Sequence, residues 1–223
     1  MLPIEEIRKD FPILSTKING YPLVYLDNAA TTQMPLPVLE RLRSHYCFDN
    51  ANVHRGIHTL SERSTQAYEA ARSNIRQFIG ARSDQEIIFT QGTTDSINMV
   101  AAGLRGKLRP GSSIVVTELE HHSNYLPWQR LCQLSGARLV IIPCPDGRPD
   151  MEFYNTALQA APVLVSVTQV SNLTGTVMPL RQMIENAHRA GAFFLVDGAQ
   201  GVRHARTDAV ELDFDYYCFS GHK

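Results

Sequence analysis

Five short clusters in this chain combine residue types that do chemistry: Gly92-Thr93-Thr94, Glu120-His121-His122-Ser123-Asn124, Gln169-Val170-Ser171-Asn172, Asp197-Gly198-Ala199-Gln200 and Ser220-Gly221-His222-Lys223. Where Gly92-Thr93-Thr94 opens a helix, free N–H groups and two hydroxyls form a phosphate cradle, or the segment is an ordinary helix cap. Asp197 closes an apolar run, where a lone carboxylate is costly. A protonated pyridine nitrogen would serve as its partner, and a helix cap or a structural ion pair are the alternatives. The paired histidines His121 and His122 have no third ligand at helical or knuckle spacing, which argues against zinc. A planar imidazole such as His121 can instead stack on a flat ring and move protons near neutral pH. Lys223 is either a solvated surface lysine or, held in an apolar pocket, a nucleophile that forms a Schiff base.

These clusters need elements to position them. Apolar, strand-like runs precede each one: Glu86 to Phe89, Ser113 to Thr117, Val163 to Val167, Phe193 to Val196 and Asp215 to Phe219, with Arg138 to Ile142 as a further strand and Val24-Tyr25-Leu26 as a short early one. Helical patterns alternate with them. These are Pro37 to Phe48, a helix after a capping box at Thr59 and Glu62 with Tyr68, Ala71, Ile75, Phe78 and Ile79 on its apolar face, a helix bearing Ile97, Val100, Ala101 and Leu104, then Tyr125 to Leu134, Met151 to Gln159 and Leu180 to Ala190. The strands do not alternate in polarity, so both sheet faces are expected to be buried. That predicts an α/β architecture with a mostly parallel sheet covered by helices. In such sheets ligands bind outside the carboxyl ends of the strands, where the five clusters lie.

Composition narrows the classes. The chain has 223 residues, 43% hydrophobic and 19% charged, with a net charge of -1. That is enough for a real core, without the basic field that holds nucleic acid or an anionic membrane. No apolar stretch is long enough to span a bilayer, and the first residues do not read as a signal peptide. Cys47, Cys132, Cys144 and Cys218 form no CxxC pair. This points to a reduced, cytoplasmic protein without a disulfide framework, and no metal site is expected.

From Tyr25 to the last residue the chain resembles the pyridoxal-phosphate enzymes of the class V aminotransferase group, closest to the SufS-like cysteine desulfurases and their CsdA-type relatives. The resemblance is carried by Tyr25-Leu26-Asp27-Asn28-Ala29-Ala30, Asn52-Val53-His54-Arg55-Gly56-Ile57-His58, Gly92-Thr93-Thr94, Glu120-His121-His122-Ser123-Asn124, Pro127-Trp128, Val170-Ser171-Asn172, Val196-Asp197-Gly198-Ala199-Gln200 and Ser220-Gly221-His222-Lys223. It implies the aspartate aminotransferase-like, fold type I architecture of pyridoxal-phosphate transferases, with residues 1–24 as an N-terminal segment and 25–223 as an incomplete large cofactor-binding domain. It further implies that Lys223 carries pyridoxal 5'-phosphate as a Schiff base and shuttles protons at the substrate carbon. His121 stacks on the pyridine ring and assists acid/base steps, and Asp197 keeps the ring nitrogen protonated. Gln200 and Asn172 bond the ring hydroxyl, with Asn172 also reaching the substrate carboxylate. Thr94, Ser220 and His222, together with Thr93, hold the phosphate. His54 and Arg55 match a motif near the active site and receive no role.

The implied activity is cysteine desulfuration, from L-cysteine to L-alanine with the sulfur transferred as a persulfide for iron-sulfur cluster assembly or another sulfur pathway. The implied partners are a second copy in a homodimer and a sulfur-acceptor protein. Selenocysteine lyase, another class V enzyme such as an aminotransferase or a kynureninase-like hydrolase, and a non-catalytic cofactor-binding scaffold are the alternatives. Two positions depart from the family pattern: Gln169 stands where many members have histidine, and Gln91 where many have arginine. Members continue past the lysine, through the rest of the large domain and a small C-terminal domain that supplies the sulfur-accepting cysteine and a carboxylate-binding arginine. None of the four cysteines matches that acceptor, and Cys218 is expected to be a buried small hydrophobe. A chain ending at Lys223 is expected to have an incomplete pocket and little turnover.

Overall fold

The computed structural model describes residues 2–223. The chain divides into two compact units, one running to Phe78 and including His222–Lys223, the other Ile79–Gly221. The sequence boundary drawn at residue 24 falls inside the first unit.

The second unit is built on a parallel sheet. Strands β3 (Ser113–Thr117), β4 (Arg138–Ile142), β5 (Leu164–Thr168), β6 (Phe193–Asp197) and β7 (Tyr216–Cys218) lie in the order β4-β3-β5-β6-β7. Every pairing is parallel. Val, Ile and Leu dominate because β3, β5 and β6 are buried on both faces, the one polar residue inside β5, Ser166, being fully buried as well. On one face Val115, Val165, Val167, Phe194 and Val196 pack with Tyr154, Leu158, Met183, Ile184 and Ala187. Those last five come from α6 (Met151–Leu158) and α7 (Leu180–Arg189). On the other face Ile114, Val116, Leu164 and Leu195 meet Ile97, Ala101 and Leu104 of α4 (Thr93–Leu104) and Trp128, Leu131 and Cys132 of α5 (Leu126–Ser135). Each of the larger aliphatic side chains adds roughly 1.5–3 kcal/mol of burial to this three-layer stack. From β3 the chain steps to β4 on one side, then crosses back to β5 on the other. That reversal opens a crevice outside the carboxyl ends of β3 and β5.

One expected strand lies outside this sheet. Glu86 is drawn into a turn over Asp84–Glu86, where its carboxylate accepts from the N–H groups of Arg82 at 2.9 Å and Ser83 at 3.4 Å in a capping box with Ser83. Residues 87–89 then run on outside the five strands, with Ile87 buried and Ile88 exposed. Two short helices, α8 (Gly201–His204) and α9 (Ala209–Leu212), join β6 to β7.

The first unit contains α1 (Ile4–Lys9), the two-residue hairpin strands β1 (Lys17–Ile18) and β2 (Tyr21–Pro22), α2 (Leu36–Ser44) with a π turn to Asp49, and most of α3 (Thr59–Ile79). Two sequence expectations fail here and a third holds in part. Val24-Tyr25-Leu26 is not a strand, and the antiparallel pairing goes to 17–18 with 21–22. Thr59 is already helical, and the cap position falls to His58, whose Nδ1 accepts the Ser61 N–H at 3.3 Å. The expected apolar face of α3 holds in part: Ile79 is buried and Tyr68 and Ile75 are half-buried, whereas Ala71 and Phe78 are exposed, and at the N-terminal end the same stripe is continued by the buried Ser61 and Ser64. The serine side is covered because it anchors the preceding loop. Ser61 Oγ donates to Asn52 O at 2.6 Å and accepts from Gly56 N–H at 3.0 Å, and Ser64 Oγ donates to Asp49 O at 2.5 Å. Hydrogen bonds that satisfy loop backbone thus extend the buried stripe past its apolar residues.

Candidate active site

The carboxyl ends of the strands assemble an anion-binding end first. Gly92 precedes α4 with φ 128°, a conformation glycine adopts freely, and a Cβ there would sit 3.1 Å from Ser220 Oγ. The turn delivers the first amides of α4 to the end of β7. Ser220 Oγ accepts from the Thr93 N–H at 2.8 Å, and the Thr93 and Ser220 hydroxyls are 2.8 Å apart. Both residues are buried. Thr93 therefore fastens Ser220 to the helix N-terminus. The more exposed Thr94 turns its hydroxyl to Ser123 at 2.8 Å.

Ser123 connects this cradle to His121. The His121 Nδ1 accepts the Ser123 N–H at 3.1 Å and lies 3.1 Å from its hydroxyl. An Nδ1 that accepts leaves the proton of the neutral ring on Nε2. His121 is exposed on the turn after β3. Sequence analysis assigns Ser123 no role, although a serine two residues after a histidine is the signal for such a local tether.

Asp197 ends β6, 2% exposed, and its carboxylate accepts the Ala199 N–H at 2.9 Å. It sits in register with Thr168 of β5 and Cys218 of β7. Gln200 is buried on the turn that follows, and Asn172 is exposed on the loop after β5. Cys218 is buried in β7, and burial with the nearby Asp197 charge pushes its thiol up to about 12, in keeping with a small hydrophobe. Cys132 and Cys144 are likewise buried.

Glu120 had no expected role, yet it is a hub beside this site. Its carboxylate accepts from Thr117 Oγ1 at 2.6 Å, Asn124 Nδ2 at 2.6 Å and the Thr168 N–H at 3.0 Å. Asn124 Oδ1 in turn accepts from Trp128 Nε1 at 3.0 Å and Ser166 Oγ at 2.6 Å. Burial pushes the Glu120 carboxyl from its usual 4.5 up to about 8, the three donors pull it back in part, and the Asp197 charge raises it further. A carboxyl that keeps its proton longer folded than unfolded makes folding proton-binding between those values. Stability should then be full below about 4.5 and fall as pH rises toward about 8, by at most about 1.4 kcal/mol per pH unit. Urea unfolding of wild type and Glu120→Gln between pH 5 and 8.5 checks this: the wild-type slope should be the steeper, and equal slopes would refute it.

His222 and Lys223 belong to the first unit. There the His222 carbonyl oxygen accepts from the Thr32 N–H at 2.9 Å and from the hydroxyls of Thr31 at 3.2 Å and Thr32 at 3.1 Å. His222 Nδ1 lies 3.2 Å from Thr31 Oγ1, so this histidine is engaged within its own unit. Lys223 is half-buried. His54, with φ 68°, has its Nε2 3.1 Å from Glu69, and Arg55 is exposed.

The donor set has two poles. A glycine-led helix N-terminus with Thr94 and Ser220 suits a phosphate, and the buried carboxylate of Asp197 at the end of the neighbouring strand β6 suits a protonated heterocyclic nitrogen. A planar histidine stands on the turn between them in sequence. The residues of the second unit fit a phosphorylated pyridine. Among the described residues no group of three or more His, Cys, Asp or Glu is placed to hold a metal ion, and no helix is long and apolar enough to cross a membrane.

Comparison with known proteins agrees with this geometry. The family described as aminotransferase class-V matches residues 24–223. Cysteine desulfurases of Synechococcus elongatus and Dickeya dadantii are each 49% identical to the chain over 99% of its length, which is 36% and 54% of theirs. The apo cysteine desulfurase of Thermococcus onnurineus NA1 superposes with a TM-score of 0.92 at 38% identity, over 100% of this chain and 54% of that one. The Escherichia coli cysteine desulfurase CsdA, as its S-sulfonic acid, gives 0.87 at 38% identity, over 100% and 55%. The chain thus spans about half, or less, of the length of these relatives. With its parallel sheet between two helical layers, the expected α/β, aspartate aminotransferase-like fold is borne out, and the chain belongs to the aminotransferase class-V family.

Proposed function

We propose that the protein is a pyridoxal 5'-phosphate-dependent cysteine desulfurase, which converts L-cysteine to L-alanine and passes the sulfur on as a persulfide. The observation that carries this is the pairing, within one unit, of the Gly92–Thr94/Ser220 cradle with the buried Asp197 carboxylate. The naming of the relatives as cysteine desulfurases selects the substrate.

When bound, the cofactor supplies an electron sink for negative charge developing at the substrate α-carbon. The roles of the chain's own residues follow from their chemistry. Lys223 Nζ holds the cofactor covalently and carries the proton taken from, or returned to, the α-carbon. Asp197 keeps a proton on the ring nitrogen, and a fixed buried charge does this with little reorganisation. His121 stacks on the ring and, with Nδ1 committed to Ser123, presents Nε2 for proton transfer. Thr94, Ser220 and His222 hold the phosphate, Thr93 locking Ser220 in place. Gln200 and Asn172 bond the ring hydroxyl, and Asn172 reaches the substrate carboxylate. The protein works in the cytoplasm as a homodimer. Its persulfide sulfur goes to an acceptor protein for iron-sulfur cluster assembly or a related pathway.

The test is borohydride reduction of protein supplied with pyridoxal 5'-phosphate, followed by intact mass and a peptide map. The phosphopyridoxyl mass is expected on Lys223, and alanine is expected from cysteine before reduction where the protein assayed also carries the sulfur-accepting cysteine. An unmodified Lys223 would return Asp197, His121 and Lys223 to structural roles. Alanine formed from selenocysteine alone would move the substrate to selenium.

A further inference from the structure

Three polar side chains behind the Asp197 turn have no part in the reading above. Gln169 follows β5, Thr207 lies between α8 and α9, and Tyr217 is the middle residue of β7. Gln169 and Thr207 are buried, 3% and 8% exposed. Gln169 Nε2 donates to Thr207 Oγ1 at 3.1 Å, and Tyr217 Oη donates to Gln169 Oε1 at 2.8 Å. Thr207 Oγ1 lies 3.1 Å from Tyr217 Oη, so its proton closes the ring of hydrogen bonds. Burial, with the Asp197 charge adding to it against the Thr207 bond, pushes the Tyr217 phenol up to about 12, which keeps it a donor.

This triad presses on the turn from two sides. A Cβ on Gly198 would sit 2.3 Å from Tyr217 Cζ, and a Cβ on Gly201 would sit 2.0 Å from Gln169 Oε1. Neither approach leaves room for any side chain but hydrogen. The backbone is fixed at the same places. The Gln169 N–H donates to Asp197 O at 2.8 Å, and the Gly198 N–H donates to Cys218 O at 2.8 Å. Asp197 and Gln200 both stand on the segment so clamped.

We propose that Gln169, Thr207 and Tyr217 are positioning residues that set the Asp197–Gly201 turn, and through it aim Asp197 at the ring nitrogen and Gln200 at the ring hydroxyl of the pyridine cofactor. The proposal rests on the function given above. The Gln169 side chain supplies both an acceptor and a donor, as the tyrosine and the threonine require.

The test compares Tyr217→Phe and Gln169→Leu with Leu158→Ala, a core truncation in α6. Amide hydrogen exchange is followed in cofactor-free protein, and the dissociation constant for pyridoxal 5'-phosphate is measured by fluorescence titration. Loss of a buried hydrogen bond in the triad should speed exchange of the Ala199 amide by about tenfold over the β3 amides and weaken cofactor binding by about tenfold. Leu158→Ala should speed β3 and Ala199 amides alike. The proposal is overturned if Ala199 follows the β3 amides in the triad variants, or if its exchange speeds while cofactor affinity stays unchanged. Wild type that binds no pyridoxal phosphate defeats the functional reading instead, and the exchange data still decide whether the triad holds the turn.

Discussion

Lys223→Ala should abolish the borohydride-trapped cofactor adduct and lower cysteine turnover by about 10^4-fold, because covalent attachment and proton transfer at the α-carbon are lost together. The substitution should leave the surrounding peptide in place. The carbonyl oxygen just before Lys223 is held by three donors from Thr31 and Thr32, none of which involves the lysine side chain. Non-covalent cofactor binding should survive in part, since the Gly92 turn, Thr94 and Ser220 are untouched. Lys223→Arg keeps the charge but cannot form the Schiff base, so it should fail as completely as alanine. Intact mass after reduction and alanine release are the two measurements. A trapped adduct in Lys223→Ala would place the reactive amine elsewhere, and turnover within tenfold of wild type would remove Lys223 from the chemistry.

Asp197→Asn should keep the fold and lose the reaction. The amide oxygen can still accept the Ala199 N–H now held at 2.9 Å, so the turn has no reason to open. What disappears is the fixed negative charge that keeps the ring nitrogen protonated, and removing one preorganised electrostatic partner costs about a hundredfold to a thousandfold in rate. The loss should fall on kcat more than on KM, because the charge matters most as negative charge develops at the α-carbon. A second readout needs no substrate. The Asp197 charge helps hold the Glu120 carboxyl up, so Asp197→Asn should move the Glu120-linked fall in stability to lower pH. Unchanged kcat would assign Asp197 to a structural role, and an unmoved stability profile would show that the two carboxyls do not sense each other.

The sheet was legible because its information is local. Ile114, Val115, Val116, Phe194, Leu195 and Val196 lie in runs without polar alternation, which only a strand covered on both faces tolerates. The helices α4 to α7 were legible for the same reason, since their apolar stripes repeat at helical spacing. The failures lie where contacts distant in sequence outweigh pattern. Residues 86–89 have strand-forming side chains, but Glu86 is committed to a cap. The buried stripe of α3 runs on beyond its apolar residues to Ser61 and Ser64 because the loop before the helix has carbonyls and amides to satisfy. The roles of Glu120 and the Gln169–Thr207–Tyr217 ring were invisible, because a glutamate and a glutamine carry no signal of the distant groups they will meet.

By itself the sequence determined the fold class, the family and the identities of the residues able to do chemistry, because strand periodicity and motif chemistry are written in neighbouring residues. Only the tertiary structure decided which of those residues meet. Ser220 is bound to Thr93 across 127 positions of chain, Glu120 to Thr168 across 48, and Tyr217 to Gln169 across 48. Such pairs are set by parallel register and by the crossover that places β5 beside β3, and no local pattern records that geometry.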